Sequence, residues 1–167
     1  MMNVNKFFDE IFKKNNWIKK KNGLFYYEKS PEVMYCIEIQ KYTFKYEDKK
    51  PFTINFSVLC PKISFACWQE EIRIIPASGL IDLRPFEFYK INKVNGKFKE
   101  YWLIEDFETE KIQLQQLFDT LVFPFFEKVH NYNDILSIID DNKIKLFGGQ
   151  LKQYNFIKNQ PSSAKYE

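Results

Sequence analysis

The residue types that carry most enzyme chemistry are scarce in this chain. Its 167 residues include a single histidine, His130, and imidazole is the group that most acid–base, nucleophile-activating and zinc sites use. No serine lies in a Gly-X-Ser-X-Gly elbow, and Gly148-Gly149 lacks the Lys-Ser/Thr that completes a phosphate loop. His130 follows an apolar stretch at a predicted helix end, where it can interact with the helix dipole. The sequence therefore predicts no catalytic residue, no metal site and no cofactor.

Four residues are the first candidates for contacting a ligand. Arg73 and Arg84 are the only arginines in a lysine-rich chain, which favours roles that need the planar guanidinium fork. Such a role is either a bidentate ion pair within the fold or a contact to a ligand. Trp68 and Trp102 have the same two alternatives, because an indole ring can fill a core or form a binding platform.

A lysine cluster near the N-terminus offers a different chemistry. Its members are Lys13, Lys14, Lys19, Lys20 and Lys21. Trp17 lies among them, so the segment could contact phosphates and stack on a base. The structural alternative is that the first two lysines complement a helix C-terminus while the other three protect a sheet edge from aggregation. The low arginine content argues against a nucleic-acid reader.

The acidic residues before residue 111 also have two interpretations. They are Glu105, Asp106, Glu108 and Glu110. Acidic groups at the start of a helix are stabilised by the helix dipole and need no catalytic role. A glycosidase-like hydrolase would need two of these carboxylates placed across a cleft, which the spacing does not indicate.

Composition describes one soluble domain that is rich in rings. Aromatic residues make up 19% of the chain, with 18 Phe and 10 Tyr, and 28% of the residues are charged, with a net charge of +3. Rings at this density favour an aromatic core, and an exposed platform would require clustering in space. No apolar run approaches a membrane span, and the N-terminus lacks a signal-peptide pattern. We expect a cytoplasmic protein whose cysteines, Cys36, Cys60 and Cys67, are reduced and mostly buried.

The first part of the chain predicts a helix and then a meander of strands. Apolar residues from Val4 to Phe12 recur at helical spacing. Asn22-Gly23 joins two strand-like runs and predicts a type I′ hairpin. A strand is expected over 33–40, and 52–59 alternates strictly. In that second strand the even-numbered residues are predicted to face the core, and the outward residues are Thr53, Asn55 and Ser57.

After residue 60 the predicted strands become shorter. The segment through Phe65, Cys67 and Trp68 is expected to be a loop, and 72–74 a short strand. A turn is expected at 76–79. Asn95-Gly96 predicts a second hairpin, which joins 88–94 to 97–103.

The last third is predicted to be helical. Apolar residues from Leu114 to Val129 recur every three or four positions, and Pro124 should kink or split that helix. Asn133 is expected to cap a further short helix, and no element is predicted after Gly148-Gly149. The expected fold is α+β: an antiparallel sheet of about five to seven strands, with an N-terminal helix and C-terminal helices packed on one face. Residues 1–157 are expected to form a single domain, and 158–167 a flexible tail.

The order of these segments resembles a bacterial family of domains of unknown function, numbered in the four-thousand three-hundreds. Residues 16–20 and 25–27 are similar to its opening Gly-Phe-Lys-Lys-like turn and aromatic strand, although Asn16-Trp17 replaces Gly-Phe. Its Thr-hydrophobic-Asn strand is similar to 52–58 and its arginine-containing strand to 72–74. Its tryptophan before the last helix corresponds to Trp102, and its Leu-Pro helix to 122–125. The resemblance implies a bacterial α+β domain with no assigned activity, and it transfers no catalytic residue.

These observations favour a non-catalytic domain that binds another protein or a small ligand, for instance an accessory or immunity-like protein that occludes its partner. One alternative is a nucleic-acid-associated protein that uses the 13–21 lysines, whose binding would weaken steeply with salt. The other is an enzyme with an unrecognised site around Arg73 and Trp102, which requires a concave pocket with convergent polar groups. The binding candidates are Arg73, Arg84, Trp68, Trp102, Lys19, Lys20 and Lys21.

Overall fold

The computed structural model describes residues 3–93 and 99–160. The helices are α1 (Val4–Lys14), α2 (Pro61–Trp68), α3 (Pro85–Ile91), α4 (Phe107–Leu117), α5 (Phe123–Glu127), α6 (Tyr132–Asn142) and α7 (Gly148–Lys158). The strands are β1 (Ile18–Lys21), β2 (Leu24–Glu28), β3 (Met34–Lys41), β4 (Pro51–Leu59), β5 (Ile81–Leu83) and β6 (Trp102–Leu103). The predicted α+β class is confirmed, with an N-terminal helix, an antiparallel sheet and C-terminal helices.

The six-stranded sheet is centred on β4. Its order is β1-β2-β3-β4-β5, and β6 also pairs with β4. Along the β3 edge, β4 pairs over its whole length, from Met34↔Leu59 to Lys41↔Phe52. Its opposite edge is shared, because β5 pairs with residues 56–58 and β6 with residues 51–52. With neighbours on both edges, β4 is buried at all nine of its residues.

The first hairpin is confirmed, but its turn is not the predicted one. β1 and β2 pair antiparallel around Asn22-Gly23, with a register shift between Lys19 and Lys21. Gly23 has φ +75°, whereas Asn22 does not have the positive φ that a type I′ turn needs at both central residues. The register shift in β1 lies directly before this turn, at a position where a bulge increases the local twist.

One face of the sheet, which we call the first face, packs against α1, α4, α5 and the π-helical turn between α4 and α5. This face buries the aromatic core that the composition predicted. The ring of Phe12 stacks on Phe25 with centroids 4.1 Å apart and meets Phe118 edge-on at 5.4 Å. Trp17 lies in the same cluster, 8% exposed and 5.6 Å from the ring of Phe126. Rings packed at these distances contribute stability beyond the area that they bury.

The opposite side of the sheet, the second face, is also largely covered, which corrects one prediction. Thr53, Asn55 and Ser57 were expected to face outward, yet all three are buried. The chain between α2 and β5, which we call the crossing segment (69–80), lies over this face and packs Ile72 and Ile74 on its apolar half. The strict alternation in β4 therefore separates an apolar face from a mixed one, and it does not separate core from solvent.

A close contact holds the crossing segment to β4. The Ser57 hydroxyl lies 2.9 Å from the carbonyl oxygen of Pro76 and 2.8 Å from that of Ile81, so its proton satisfies a buried acceptor. Gly79 passes directly over this hydroxyl, since a Cβ there would lie 1.9 Å from Ser57 Oγ. Glycine is therefore required at position 79 for space, and its φ of −72° is ordinary.

Two predictions for residues 61–74 are wrong. The segment through Phe65, Cys67 and Trp68 is not a loop but α2, which begins with Pro61 at its first turn and ends at Gln69 in the left-handed region. Residues 72–74 belong to no strand that the structure describes, and the chain bends at Ile74, where the Ile75 N–H donates to the Arg73 carbonyl at 2.9 Å. Their apolar side chains pack on the sheet, so apolar and polar residues alternate along this segment as they would along a strand of the sheet.

The second predicted hairpin is also wrong for the residues that the structure describes. Residues 88–91 belong to α3, not to a strand, because Arg84-Pro85 starts a helix and Glu87 Oε2 accepts a hydrogen bond from the Arg84 N–H. β6 pairs with β4 instead of with residues 88–94. Asn95-Gly96, the predicted turn, lies outside the described residues.

The long C-terminal helix is interrupted, as Pro124 predicted. A π-helical turn spans Phe118–Val122 between α4 and α5. Because proline cannot donate to the preceding turn and its ring crowds a carbonyl there, the wider turn absorbs the mismatch. The next helix, α6, is capped by Asn131 and not by Asn133, since the Asn131 side chain accepts from two backbone N–H groups.

No pattern in the sequence predicted α7, which the structure places beside α2 and α6. Its Ile157 is buried, and Lys158 at its end contacts α6. The predicted tail thus begins on the last residue of a helix, and residues 161–167 lie outside the described part of the chain. Of the described helices, none is long and apolar enough to cross a membrane.

Candidate functional site

A cluster of exposed rings lies where β3 leaves the sheet. The ring of Tyr42 is 5.0 Å from that of Phe44 and 5.6 Å from that of Tyr101. Phe44 and Tyr101 are 53% and 52% exposed. Together with Arg84, these residues form what we call the aromatic–arginine surface. Large rings that remain exposed in a cluster mark interaction sites more often than singly exposed ones do.

A polar network from the second face holds Arg84 in this surface. Its Nη1 donates to Gln40 Oε1 at 3.3 Å and to the Tyr42 hydroxyl at 3.4 Å. Asn55 Nδ2 donates to the same Gln40 oxygen at 3.1 Å and to Glu38 Oε2 at 3.4 Å. The guanidinium is therefore oriented by half-buried neighbours while its remaining N–H groups can reach a partner.

Three positive charges around the surface form no close ion pair within the described part of the chain, although Asp82 interacts with Arg84 at longer range. Among the described residues, no carboxylate lies within 4.0 Å of Arg84, Lys41 or Lys45. Partial burial lowers the pKa of Lys41, because desolvation disfavours its charged form. Nearby Lys49, in contrast, has its charge matched by Asp106 at 2.8 Å. The unpaired cations give the surface a preference for acidic groups.

Two further binding candidates, Trp68 and Arg73, line one cleft of about 450 Å³. The cleft lies between the end of α2, the crossing segment and the start of α7. Arg73 has no ion pair within 4.0 Å among the described residues. Asp82 of β5 also lines this cleft, and burial raises its pKa against the opposing effect of Arg84.

The remaining candidates lie elsewhere. Trp102 is buried and stacks on Phe52 with centroids 5.8 Å apart, so the structure does not bring it together with Arg73. Lys19, Lys20 and Lys21 lie exposed on the edge strand β1. Lys19 pairs with Asp9 at 2.7 Å. The ring of Trp17 is buried in the core and is therefore not available to stack on a base.

The acidic stretch has structural contacts. Asp106 pairs with Lys49, and Glu110 with Lys99 at 2.7 Å. Glu108 lies in the first turn of α4 and contacts Lys111 one turn later. His130 lies between α5 and α6, where its backbone N–H donates to Asp134 Oδ2 at 2.7 Å. These contacts connect helices and hairpins across the surface of the fold.

The cysteines are thiols. Cys36 and Cys60 are buried and Cys67 is partly exposed. Burial raises the pKa of Cys36 to about 12 and raises the pKa of Cys60 as well, so both thiols stay protonated at neutral pH. Within residues 3–93 and 99–160, no group of three or more His, Cys, Asp or Glu side chains could hold a metal ion.

Sequence reasoning did not single out Tyr42, Phe44 and Tyr101. A signal was present for the first two, because rings alternate with lysine and threonine after a strand, in a segment too polar to be core. Tyr101 gave no such signal. Its contact with Tyr42 depends on the pairing of β6 with β4, which brings distant parts of the chain together.

The fold and the site together define an α+β domain with an exposed aromatic–arginine surface at the end of its central strands. The chain belongs to the family described as domain of unknown function DUF4304, whose family model matches residues 10–128. The match includes the whole aromatic–arginine surface and ends before α6 and α7. Comparisons with curated proteins and with solved structures found no match.

Proposed function

We propose that this protein works by binding rather than by catalysis, and that another protein docks on its aromatic–arginine surface. One observation carries the proposal. Phe44 and Tyr101 present more than half of their area to solvent beside Tyr42, next to a guanidinium that is already oriented. Tyrosine and arginine are the residue types that dominate the energetics of protein interfaces.

The arrangement favours a protein partner for a physical reason. Binding costs free energy for every side chain that it immobilises, and this surface starts with Arg84 and Tyr42 held by hydrogen bonds. The rings supply an apolar centre, and the charged residues around them supply a rim. This is the usual anatomy of a protein interface.

The partner's chemistry follows from the unpaired cations. Arg84, Lys41 and Lys45 favour a partner that presents carboxylates around an apolar contact, and the net charge of +3 acts in the same direction at longer range. An accessory or immunity-like role, in which binding occludes the partner, fits a surface of this kind.

Affinity capture with matched variants tests the proposal. The tagged chain, Phe44→Ser/Tyr101→Ser and Ile112→Ser/Leu151→Ser are each incubated with nuclease-treated host lysate, washed at high salt and analysed by mass spectrometry. The second double variant removes comparably exposed apolar residues from α4 and α7. We expect one stoichiometric protein with the native chain and the control, and its loss with the first variant. Equal capture by all three, or none with the native chain, would contradict the proposal.

A further inference from the structure

The cleft between α2, the crossing segment and α7 has a chemistry distinct from that of the aromatic–arginine surface. Its residues carry charges of both signs: Arg73 on one hand, and Glu70, Glu71 and Asp82 on the other. Among the described residues, none of these carboxylates lies within 4.0 Å of the guanidinium. Arg73 and these carboxylates are therefore available to a ligand that carries both signs, although Asp82 also interacts with Arg84 at longer range.

An indole ring forms part of the cleft wall. The backbone of Gly149 packs so closely on it that a Cβ would lie 3.2 Å from Trp68 Cζ2. Lys152 fixes the same ring from α7, with its ammonium 5.1 Å from the ring centroid while it donates to the Cys67 carbonyl at 2.6 Å. Because Lys152 is engaged in these contacts, Arg73 is the cation that remains for a ligand.

A buried amide lies at the bottom of the cleft. Gln153 is 3% exposed, and its Oε1 has no hydrogen-bond partner among the described residues. Leaving a buried polar atom unpaired costs free energy. Rotation of the terminal amide brings either a donor or an acceptor toward the cleft, so a ligand with polar atoms can relieve this cost.

We propose that this cleft binds a free α-amino acid with an apolar side chain. Arg73 takes the carboxylate. Asp82 and its neighbouring glutamates take the ammonium group. The side chain lies against Trp68. The volume of about 450 Å³ lies in the range of small-ligand sites.

Titration calorimetry with defined probes tests the charge requirement. The probes are leucine, isoleucine, methionine, phenylalanine and tryptophan, followed by the amide and the N-acetyl derivative of the tightest binder. The amide lacks the carboxylate and the N-acetyl form lacks the ammonium. We expect each derivative to bind at least about tenfold more weakly than the parent amino acid. An amide that binds as tightly as the parent, or no binding of any probe up to about 10 mM, overturns the proposal.

Variants separate the cleft from general charge effects. Arg73→Gln should bind the amino acid and its amide equally, since the group that distinguishes them is gone. Lys128→Gln removes one positive charge from an exposed position after α5 that does not line the cleft, and it should keep the full preference for the amino acid. An unchanged preference in Arg73→Gln contradicts the assignment. Phe44→Ser/Tyr101→Ser should bind the amino acid normally, so failure of the cleft and failure of the protein-binding surface are distinguishable.

Discussion

The two faces of the sheet use aromatic residues in opposite ways. On the first face, Phe8, Phe12 and Phe25 are almost fully buried and each ring contacts others. On the second face, Tyr42 packs against the exposed rings of Phe44 and Tyr101 beside an arginine. Burial of the first set supplies the free energy of folding, and exposure of the second set leaves its apolar area for a partner.

Polar residues follow the same division. Ser57 on the second face bonds the crossing segment, and Asn55 bonds the Gln40 oxygen that also accepts from Arg84. Asp82 lies opposite Ser57 on the same face. Both proposed sites border this face. One sheet can therefore separate the residues that stabilise the fold from those proposed to bind a partner, because alternate residues of each strand point to opposite sides.

The largest expected effect comes from breaking the first face. Phe12→Ala removes a fully buried ring that stacks on Phe25, and it should lower the free energy of unfolding by about 3–5 kcal/mol. Phe44→Ala, on the exposed surface, should change it by no more than about 0.5 kcal/mol. Urea unfolding followed by circular dichroism measures both. Similar losses for the two variants would show that the exposed rings serve folding.

A smaller effect is expected where the crossing segment meets β4. Gly79→Ala places a methyl group against Ser57 Oγ and should cost about 1–3 kcal/mol. In Gly148→Ala the added methyl group meets no atom within 4 Å. The expected loss of about 1 kcal/mol therefore comes only from the φ of +47°, which alanine adopts less readily than glycine. The same unfolding assay compares them. A Gly79 variant as stable as the native chain would mean that the segment lifts away from the sheet easily.

The smallest effect concerns the attachment of α7, one wall of the cleft. Asp140 of α6 accepts hydrogen bonds from Tyr154 and Lys158, and the Tyr154 bond is the main reason that the pKa of Asp140 lies below its usual range. A carboxyl group whose pKa is lower in the folded than in the unfolded state stabilises the fold at any pH above its unfolded-state pKa. This stabilisation is lost as the pH falls through its folded-state pKa. Asp140→Asn should therefore lower the melting temperature slightly at neutral pH.

Thermal unfolding of both chains across acidic pH measures this difference. The gap between native and Asp140→Asn melting temperatures should narrow as the pH is lowered through the acidic range, because the native carboxylate becomes protonated there. A gap that stays constant throughout the acidic range would assign the effect to altered packing between α6 and α7.

Periodicity predicted the parts of the fold that are amphipathic. α1, the strands β3 and β4, and the helical run broken near Pro124 follow from the spacing of their apolar residues. The segment 72–74 was wrongly predicted to be a strand because apolar and polar residues alternate in a segment that covers a sheet, as they do in a strand of the sheet. Residues 88–91 misled because the Asn95-Gly96 pair favoured a hairpin, whereas Pro85 and Glu87 start a helix.

The candidate sites were predicted only in part. The scarcity of arginine indicated Arg73 and Arg84, and both reach a site. Trp102 was indicated by residue type alone and lies in the core, because type does not reveal burial. Tyr101 and Gln153 were not indicated, since their roles depend on contacts between distant parts of the chain.

Hydrogen exchange of the captured complex tests the central claim most directly, namely that recognition belongs to the second face. Amide exchange would be compared by mass spectrometry for the chain alone and with its partner bound. We predict added protection in residues 40–46 and 101–103, with no change in α1 and α4. Protection concentrated in α1 or α4, with 40–46 unchanged, would contradict the assignment of function to the aromatic–arginine surface.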